Sequence, residues 1–238
     1  EGAYVAITGI LASLALSLGI AASWFFGGEA QRCAERFSTS TLWIPAGSFP
    51  INVGFSVDTL TIVMLLVVTV VASMVQIYSV GYMHGDTRYP RYFAYLSLFS
   101  SAMLTLVIAN NILLMFMGWE LVGLTSYLLI GFWFEKPSAM RAAKKAFLVT
   151  RVGDVGFFAG LIMLYIYTGS LDLFGHTGIF ENLNTLVGSV HIGPWAIGMT
   201  AFVGILLFCG AVGKSAQFPL HVWLPDAMEG PTPVSALI

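Results

Sequence analysis

Long apolar runs separated by short polar loops dominate this chain of 238 residues. Each run is about 20 residues long, the length that an α-helix needs to cross about 30 Å of hydrocarbon. The turn at Asn110 and Asn111 is so short that the helices on either side of it must be antiparallel neighbours. The pattern predicts an all-α integral membrane protein, an antiparallel transmembrane helix bundle with six spans near residues 4–26, 57–80, 92–109, 112–133, 142–167 and 195–213.

A seventh apolar segment, residues 218–228, follows Lys214 and contains Pro219 and Pro225. Proline removes a backbone donor and clashes with the preceding turn, so this segment is predicted to be a broken helix. Non-helical backbone at membrane depth is tolerated only where protein or water satisfies it. The break therefore predicts a hydrated pocket beside Lys214.

The charges of the loops predict an orientation. By the positive-inside rule, the side richer in Lys and Arg faces the cytoplasm or its equivalent. That side carries Arg88, Arg91, Lys136, Arg141, Lys144 and Lys145, whereas the opposite side has only Arg32 and Arg36.

The loop from 169 to 193 has no Lys or Arg, so it is predicted to lie outside. Its residues 170–174, with Ser170 as a plausible N-cap, predict a short helix along the surface. The titratable residues of this loop are Asp172, His176, Glu181 and His191.

Composition supports the membrane class and excludes others. With 58% hydrophobic residues and a mean hydropathy of +0.86, the chain has too little polar surface for a soluble domain. A net charge of -2 offers no basic patch for nucleic acid. Cys33 and Cys209 form no ligand-spaced cluster, and no metal site is expected.

The chain begins at Glu1 without a methionine and stops within an apolar run. We therefore expect residues 1–238 to be a single transmembrane domain from a longer protein, with about six full spans plus half of a broken helix.

Four charged residues lie inside the apolar runs of a chain in which only 9% of residues are charged: Glu120, Arg151, Asp154 and Lys214. An Asp, Lys or Arg at membrane depth costs roughly 2.5–3.5 kcal/mol on translocon insertion scales, and such residues commonly mark proton or ion paths. We therefore expect the function to reside in these four residues.

Glu120 and Lys214 are candidates for reversible proton transfer, because burial and nearby charge tune the proton affinity of such groups. A contact between them that forms and breaks would switch the lysine between holding and releasing a proton. Two structural alternatives stay open. Glu120 would then be held by hydroxyl groups as a link between helices, or Lys214 would extend toward the membrane surface.

Arg151 and Asp154 are three residues apart, so they share a helix face and can pair. A closed ion pair and a switching one are equally compatible with this spacing. Gly153, Gly156 and Gly160 on the same helix predict close approach of another helix, which would place the pair near a packing interface.

His221 is the histidine expected within the membrane region, where it would serve as a proton relay or as a hydrogen-bonded structural residue. No second histidine at matching depth supports haem ligation. Gly213-Lys214-Ser215 resembles the end of a nucleotide-binding P-loop, but Phe208 stands where that motif needs glycine. We therefore expect no catalytic redox site and no bound cofactor in this chain.

Several segments resemble the proton-pumping, antiporter-like membrane subunits of respiratory complex I, most closely the distal member of the chain L or chain 5 type. The resemblance extends from about Phe55 onward. It rests on Gly118-Trp119-Glu120 within 118–131, on Thr150-Arg151-Val152-Gly153-Asp154, on Gly213-Lys214-Ser215 within 213–228, and on Gly230-Pro231-Thr232-Pro233 within 230–238.

The resemblance implies inverted five-helix repeats, each with a broken helix, around a hydrated axis of charged residues. Glu120 would be coupled to Lys214, and the Arg151–Asp154 pair would lie near a neighbouring antiporter-like subunit. The first helix, the second repeat and the lateral helix of the family would be missing from this chain. The implied function is proton translocation coupled to quinone reduction, with flavin, iron–sulfur clusters and quinone in partner subunits. The expected location is an energy-transducing membrane: bacterial plasma membrane first, with mitochondrial inner or thylakoid membrane as alternatives.

The runner-up is the large subunit of a multisubunit sodium/proton antiporter, which resembles this chain in the lysine segment and the Trp-Glu motif. The Arg-Val-Gly-Asp arrangement at 151–154 favours the complex I family. A passive scaffold would leave four intramembrane charges without a purpose. The chain also resembles photosynthetic relatives, which share nearly the same motifs but take electrons from a donor other than NADH.

Overall fold

The computed structural model describes residues 2–27, 37–46, 49–175, 178–192 and 195–238. Within these residues, five helices are long and apolar enough to cross a membrane. They are α1 (Gly2–Phe26), α2 (Thr59–Tyr82), α3 (Tyr89–Ile108), α4 (Ile112–Ile130) and α5 (Pro137–Thr168). The helical membrane fold and the first five predicted spans are confirmed. Arg32, Cys33, Arg36 and His176, which entered the sequence predictions, lie outside the described residues.

The sixth span is shorter than predicted. It forms α6 (Met199–Lys214), which has 16 residues and a length of about 24 Å. The predicted start near residue 195 is wrong, because Trp195–Gly198 forms strand β4 and pairs antiparallel with β3 (Ser189–Ile192). Short apolar runs are compatible with either strand or helix, so their composition alone does not distinguish the two.

The predicted break after Lys214 is confirmed. Turns follow α6, and only two four-residue helices come after them, α7 (Leu224–Ala227) and α8 (Thr232–Ser235). The amide of Gln217 donates to the carbonyl of Val212 at 3.0 Å, across Ala216 at φ 49°. This is the six-to-one hydrogen bond of a Schellman C-cap, with alanine where glycine is usual.

A β-hairpin that the hydropathy pattern did not predict covers one end of the bundle. Strands β1 (Phe37–Ala46) and β2 (Phe49–Val57) pair antiparallel, with a bulge between Leu42 and Ile44. The Asn111 side chain donates to the carbonyl of Asn52, so the hairpin is tied to the turn between α3 and α4. We call this the hairpin end of the bundle.

The surface helix predicted at 170–174 is wrong. The Ser170 hydroxyl accepts from the amide of Asp172 at 3.2 Å, but residues 171–175 form a bridge and bends and not a helical turn. The segment instead pairs with the chain that enters α4: Asp172 bridges Asn111, and the amide of Ile112 donates to the carbonyl of Leu171 at 2.9 Å. The side chain of Asn52 also donates to Asp172 at 3.0 Å. Pairing with the bundle has replaced the expected local helix.

At the opposite end of the bundle, loops that were predicted to lie on the same side of the membrane are in contact. Arg88 pairs with Glu135 at 2.6 Å, which joins the loop after α2 to the loop after α4. Lys145 pairs with Asp226 at 2.8 Å and ties α5 to α7. We call this the basic end of the bundle.

Candidate functional site

The middle of α4 carries the first two residues of the site. The side chain of Asn111 accepts from the amide of Leu114 at 2.6 Å, which caps the helix start. From there Trp119 and Glu120 lie near the centre of the 19-residue helix. Both are therefore far from either end of the span.

Close packing of α5 against α6 brings the remaining residues together. A Cβ on Gly153 would lie 2.6 Å from the carbonyl oxygen of Cys209, and one on Gly156 would lie 2.6 Å from the Cβ of Cys209. A Cβ on Gly160 would lie 3.0 Å from the side chain of Leu207. The predicted close approach at these glycines is confirmed, and the approaching helix is α6 of the same chain.

The four intramembrane charges form one cluster, which we call the charged quartet. Glu120 is in direct ion-pair contact with Arg151. Asp154 lies between two cations, since its Oδ2 is 3.9 Å from Arg151 Nη1 and 3.9 Å from Lys214 Nζ. The order Glu120, Arg151, Asp154, Lys214 alternates in sign, so the quartet is neutral as a whole.

Trp119 connects the quartet to the backbone of α4. Its Nε1 donates to Asp154 Oδ1 at 2.6 Å, and its carbonyl accepts from Lys214 Nζ at 3.1 Å. The sequence prediction missed this residue. A tryptophan at membrane depth needs an acceptor for its N–H, and this need was the available signal.

Gly123 makes room for the ammonium group of Lys214. A Cβ at position 123 would overlap Lys214 Nζ. The sequence prediction missed this residue as well. Glycine inside a helix costs about 1 kcal/mol relative to alanine, so its position in the middle of α4 indicated a close approach.

Asp154 is held by one hydrogen bond, from Trp119, and by two cations at longer range. Each cation at about 4 Å attracts it by about 4 kcal/mol at an effective dielectric constant of 20. Both distances exceed the range of a hydrogen bond. Asp154 is only 3% exposed, and its Oδ2 has no hydrogen-bond partner among the described residues. Its two ion pairs can therefore lengthen or shorten without breaking a direct hydrogen bond.

The pairing differs from the hypothesis drawn from the sequence. Glu120 contacts Arg151, and Lys214 faces Asp154; a Glu120–Lys214 contact stays a prediction. Arg151 and Asp154 lie within ion-pair range, but as part of the quartet and not as an isolated pair. Lys214 points to Asp154 and the carbonyl of Trp119, which disfavours the extended, surface-seeking lysine. Glu120 pairs with a cation, whereas the structural alternative held it by hydroxyl groups.

His221 lies apart from the quartet. Its ring is exposed and stacks on Phe218, with 5.8 Å between ring centroids. The structure thus brings together four of the five predicted site residues.

A cavity of about 360 Å³ opens beside Lys214, where the break predicted a pocket. Apolar side chains of α2 form much of its wall. Its polar lining consists of Ser100, Ser126, Thr150, Lys214 and Ser215. The ammonium group thus has both a carboxylate and a partly polar cavity near it.

A helix bundle with a broken, lysine-bearing helix and paired charges at mid-depth defines a class of membrane subunit. Residues 109–238 match the family described as NADH:quinone oxidoreductase/Mrp antiporter, transmembrane. Residues 43–93 match the family described as NADH-ubiquinone oxidoreductase (complex I), chain 5 N-terminus. The chain belongs to the NADH:quinone oxidoreductase/Mrp antiporter family.

Named relatives agree with this membership. The chain is 54% identical over 196 residues to NAD(P)H-quinone oxidoreductase chain 5 of Synechocystis, a match that covers 82% of this chain and 28% of that protein. It is 46% identical over 243 aligned residues to NADH-quinone oxidoreductase subunit L of Neisseria meningitidis, covering 98% of this chain and 34% of that protein. The chain therefore spans about a third of the length of these relatives.

Solved structures share the fold. The Mrp complex of a Dietzia species matches with a TM-score of 0.76 and 28% identity, over 99% of this chain and 24% of that chain. An archaeal membrane-bound sulfane sulfur reductase matches with a TM-score of 0.74 at 17% identity, over 98% of this chain and 43% of that chain, which supports the fold alone.

Proposed function

We propose that the full-length protein is a membrane-arm subunit of an NADH:quinone oxidoreductase and translocates protons coupled to quinone reduction. The observation that carries the proposal is the charged quartet: four full charges at membrane depth, alternating in sign, with Lys214 beside a cavity. Ionisable groups at this depth commonly form proton paths. The coupling to quinone reduction is inferred from the names of two relatives at 46% and 54% identity.

Arg151 is the movable element in this mechanism, because it is shared between Glu120 and Asp154. When its guanidinium moves from Glu120 toward Asp154, it neutralises more of the Asp154 charge. Asp154 then attracts the ammonium of Lys214 less strongly, and the proton of Lys214 passes to the cavity. When Arg151 returns to Glu120, Asp154 again attracts a proton onto Lys214.

The remaining residues hold this geometry. Trp119 fixes the orientation of the Asp154 carboxylate and supplies a carbonyl for the ammonium, while Gly123 provides the space for it. His221 is proposed as a relay farther along the chain. Flavin, iron–sulfur clusters and quinone are assigned to partner subunits, among them a neighbouring antiporter-like subunit, in an energy-transducing membrane.

A second candidate is the large subunit of a sodium/proton antiporter. It is supported by the Mrp structure, which this chain matches along 99% of its length. The identity to that structure is 28%, against 46–54% for the quinone oxidoreductase subunits. The redox-coupled function is therefore the main proposal.

The test is purification of the full-length protein through an affinity tag in mild detergent, followed by an assay of NADH oxidation with a quinone acceptor. A flavin-containing assembly with this activity supports the proposal. Isolation with only small hydrophobic partners, together with sodium-dependent proton exchange in vesicles, overturns it in favour of the antiporter.

A further inference from the structure

A small pocket lies at the basic end of the bundle, where α3 and α5 begin and α4 ends. Its volume is about 160 Å³. The polar side chains of its lining are Arg91 and Tyr95 of α3 and Tyr127 of α4. We call it the Arg91 pocket. It is separate from the charged quartet and from the cavity beside Lys214, because it shares no lining residue with either.

Arg91 carries a charge that the protein does not match. Arg88, three residues earlier, pairs with Glu135 at 2.6 Å, and Lys145 pairs with Asp226 at 2.8 Å. Arg91 has no ion pair or hydrogen bond to any described residue, and no carboxylate among those residues lines its pocket. Its planar guanidinium, with several N–H donors, is therefore free to bind an anion from outside the chain.

Two tyrosines beside Arg91 offer further donors. The hydroxyls of Tyr95 and Tyr127 have no hydrogen-bond partner among the described residues, and neither hydroxyl oxygen is buried. The two side chains are half-buried, whereas Arg91 is exposed. Hydroxyl and guanidinium groups both donate hydrogen bonds to phosphate oxygens. The pocket thus offers one cation and two neutral donors, all accessible, to a phosphate group.

The rest of the lining is apolar and partly exposed. Phe134, which follows α4, is 46% exposed, and Met140, in the first turns of α5, is 41% exposed. A ligand that matches the whole pocket therefore combines an anionic group for Arg91 with an apolar chain for Phe134 and Met140. A free phosphate ion would leave these two side chains in contact with water, so the lining favours a lipid.

The depth of the pocket suits a lipid head group. Tyr95 and Tyr127 lie six and three residues from the basic ends of α3 and α4, which is about 9 and 5 Å at 1.5 Å per residue. Tyrosine is enriched at this depth, where hydrocarbon meets the head groups. Basic pockets between transmembrane helices bind anionic head groups on the cytoplasmic side, which is where the loop charges predict the basic end to lie.

We infer that the Arg91 pocket binds an anionic phospholipid. The phosphate contacts Arg91 and the hydroxyls of Tyr95 and Tyr127, while one acyl chain lies along Phe134 and Met140. The lipid bridges the basic ends of α3, α4 and α5 without a covalent bond. This inference does not rest on the proposed function, because the pocket is expected to bind the lipid whether or not the complex translocates protons.

The binding is tested with the assembled full-length complex in nanodiscs of phosphatidylcholine. The probe is a phosphatidylglycerol that carries a photoreactive diazirine near the start of one acyl chain. After illumination, mass spectrometry measures cross-linking of the probe to the segment of this subunit that contains Phe134 and Met140. Unmodified phosphatidylglycerol is expected to compete with the probe, and the same amount of added phosphatidylcholine is not.

Two competition results would overturn the lipid assignment. Equal competition by phosphatidylcholine would show that the pocket does not recognise the anionic head group. Competition by water-soluble glycerol phosphate that matched phosphatidylglycerol would show a site for free phosphate and not for a lipid.

A pair of arginine variants assigns the binding to the pocket. Arg91→Gln is expected to lower cross-linking at least about tenfold, because charge-assisted hydrogen bonds to the phosphate are lost. Arg141→Gln is the matched control, since Arg141 is also exposed at the basic end but does not line the pocket. It should change cross-linking little. Equal losses in the two variants would indicate a general attraction of lipid to the basic surface and overturn the inference.

A milder variant covers the case in which Arg91→Gln fails to assemble. Tyr127→Phe removes one hydroxyl and keeps the ring, whose centroid lies 5.5 Å from that of Phe147. Reduced cross-linking in the assembled Tyr127→Phe complex supports the inference, because the phosphate has lost a donor. Unchanged cross-linking in this complex overturns the proposed contact with the phosphate.

Discussion

The two halves of the bundle bury polar groups in different ways. Between α4, α5 and α6, four full charges are matched against one another by the chain itself. On α2 and α3, the buried oxygens of Ser73, Gln76 and Ser97 have no hydrogen-bond partner among the described residues. An unpaired buried ion costs several kcal/mol, whereas an unpaired hydroxyl or amide costs about 1–3 kcal/mol. Charge must therefore be matched by protein, whereas a neutral oxygen can stay unmatched at a smaller cost.

The strongest test of this contrast removes a charge from the quartet. Asp154→Leu leaves Arg151 and Lys214 facing a buried apolar group, and breaking a buried pair costs about 3–5 kcal/mol. We expect the yield of assembled complex to fall more than about tenfold, measured by native electrophoresis of the tagged full-length protein. Asp226→Leu is the control, because its pair with Lys145 is partly exposed and worth at most about 1 kcal/mol. A normal yield for Asp154→Leu would show that the quartet does not stabilise the fold.

A smaller change displaces a charge without removing it. Gly123→Ala puts a methyl group where the ammonium of Lys214 lies. The displaced ammonium loses part of its attraction to Asp154, which is about 4 kcal/mol at about 4 Å. Proton translocation is therefore expected to fall at least about tenfold in an assembled complex. Gly81→Ala, where a Cβ meets no atom within 4 Å, makes the same chemical change on α2 and should have no effect. Equal activity in both variants would mean that Lys214 acts from another position.

On the neutral side, removing a polar group should be tolerated. Gln76→Leu deletes an acceptor that has no partner among the described residues and keeps a similar shape, so stability should change by less than about 1 kcal/mol. Thermal unfolding of the purified complex checks this. If Gln76→Leu destabilised the complex as strongly as Asp154→Leu, buried neutral groups would depend on protein partners as much as buried charges do.

The smallest expected effect concerns the end of α6. Ala216 has φ 49°, a left-handed conformation that costs a non-glycine residue about 1–2 kcal/mol. After the greater flexibility of glycine in the unfolded chain is subtracted, Ala216→Gly should stabilise the protein by up to about 1 kcal/mol. Ala211→Gly, within α6, should destabilise it by about 1 kcal/mol. Thermal melts that moved in the same direction for both would contradict the C-cap assignment.

The sequence predicted the first five spans, the helix break and the presence of four charges at membrane depth, because hydropathy and charge are properties of the chain itself. It did not predict which charges pair, because spacing along one helix specified only Arg151 with Asp154. The contacts of Glu120 with Arg151 and of Lys214 with Asp154 depend on how close three helices lie. The buried neutral oxygens were missed for a related reason: serine and glutamine within an apolar run barely change its hydropathy, and only burial shows that Gln76 faces inward.

Two lysines, one inside the charged quartet and one outside it, can be compared in one assay of proton translocation. Lys214→Met and Lys145→Met each remove one cation, but only Lys214 belongs to the quartet. The quantity to measure is the number of protons translocated per quinone reduced by the reconstituted full-length complex. We expect a clear fall for Lys214→Met and the normal ratio for Lys145→Met. An unchanged ratio for Lys214→Met would contradict a role of the charged quartet in proton translocation.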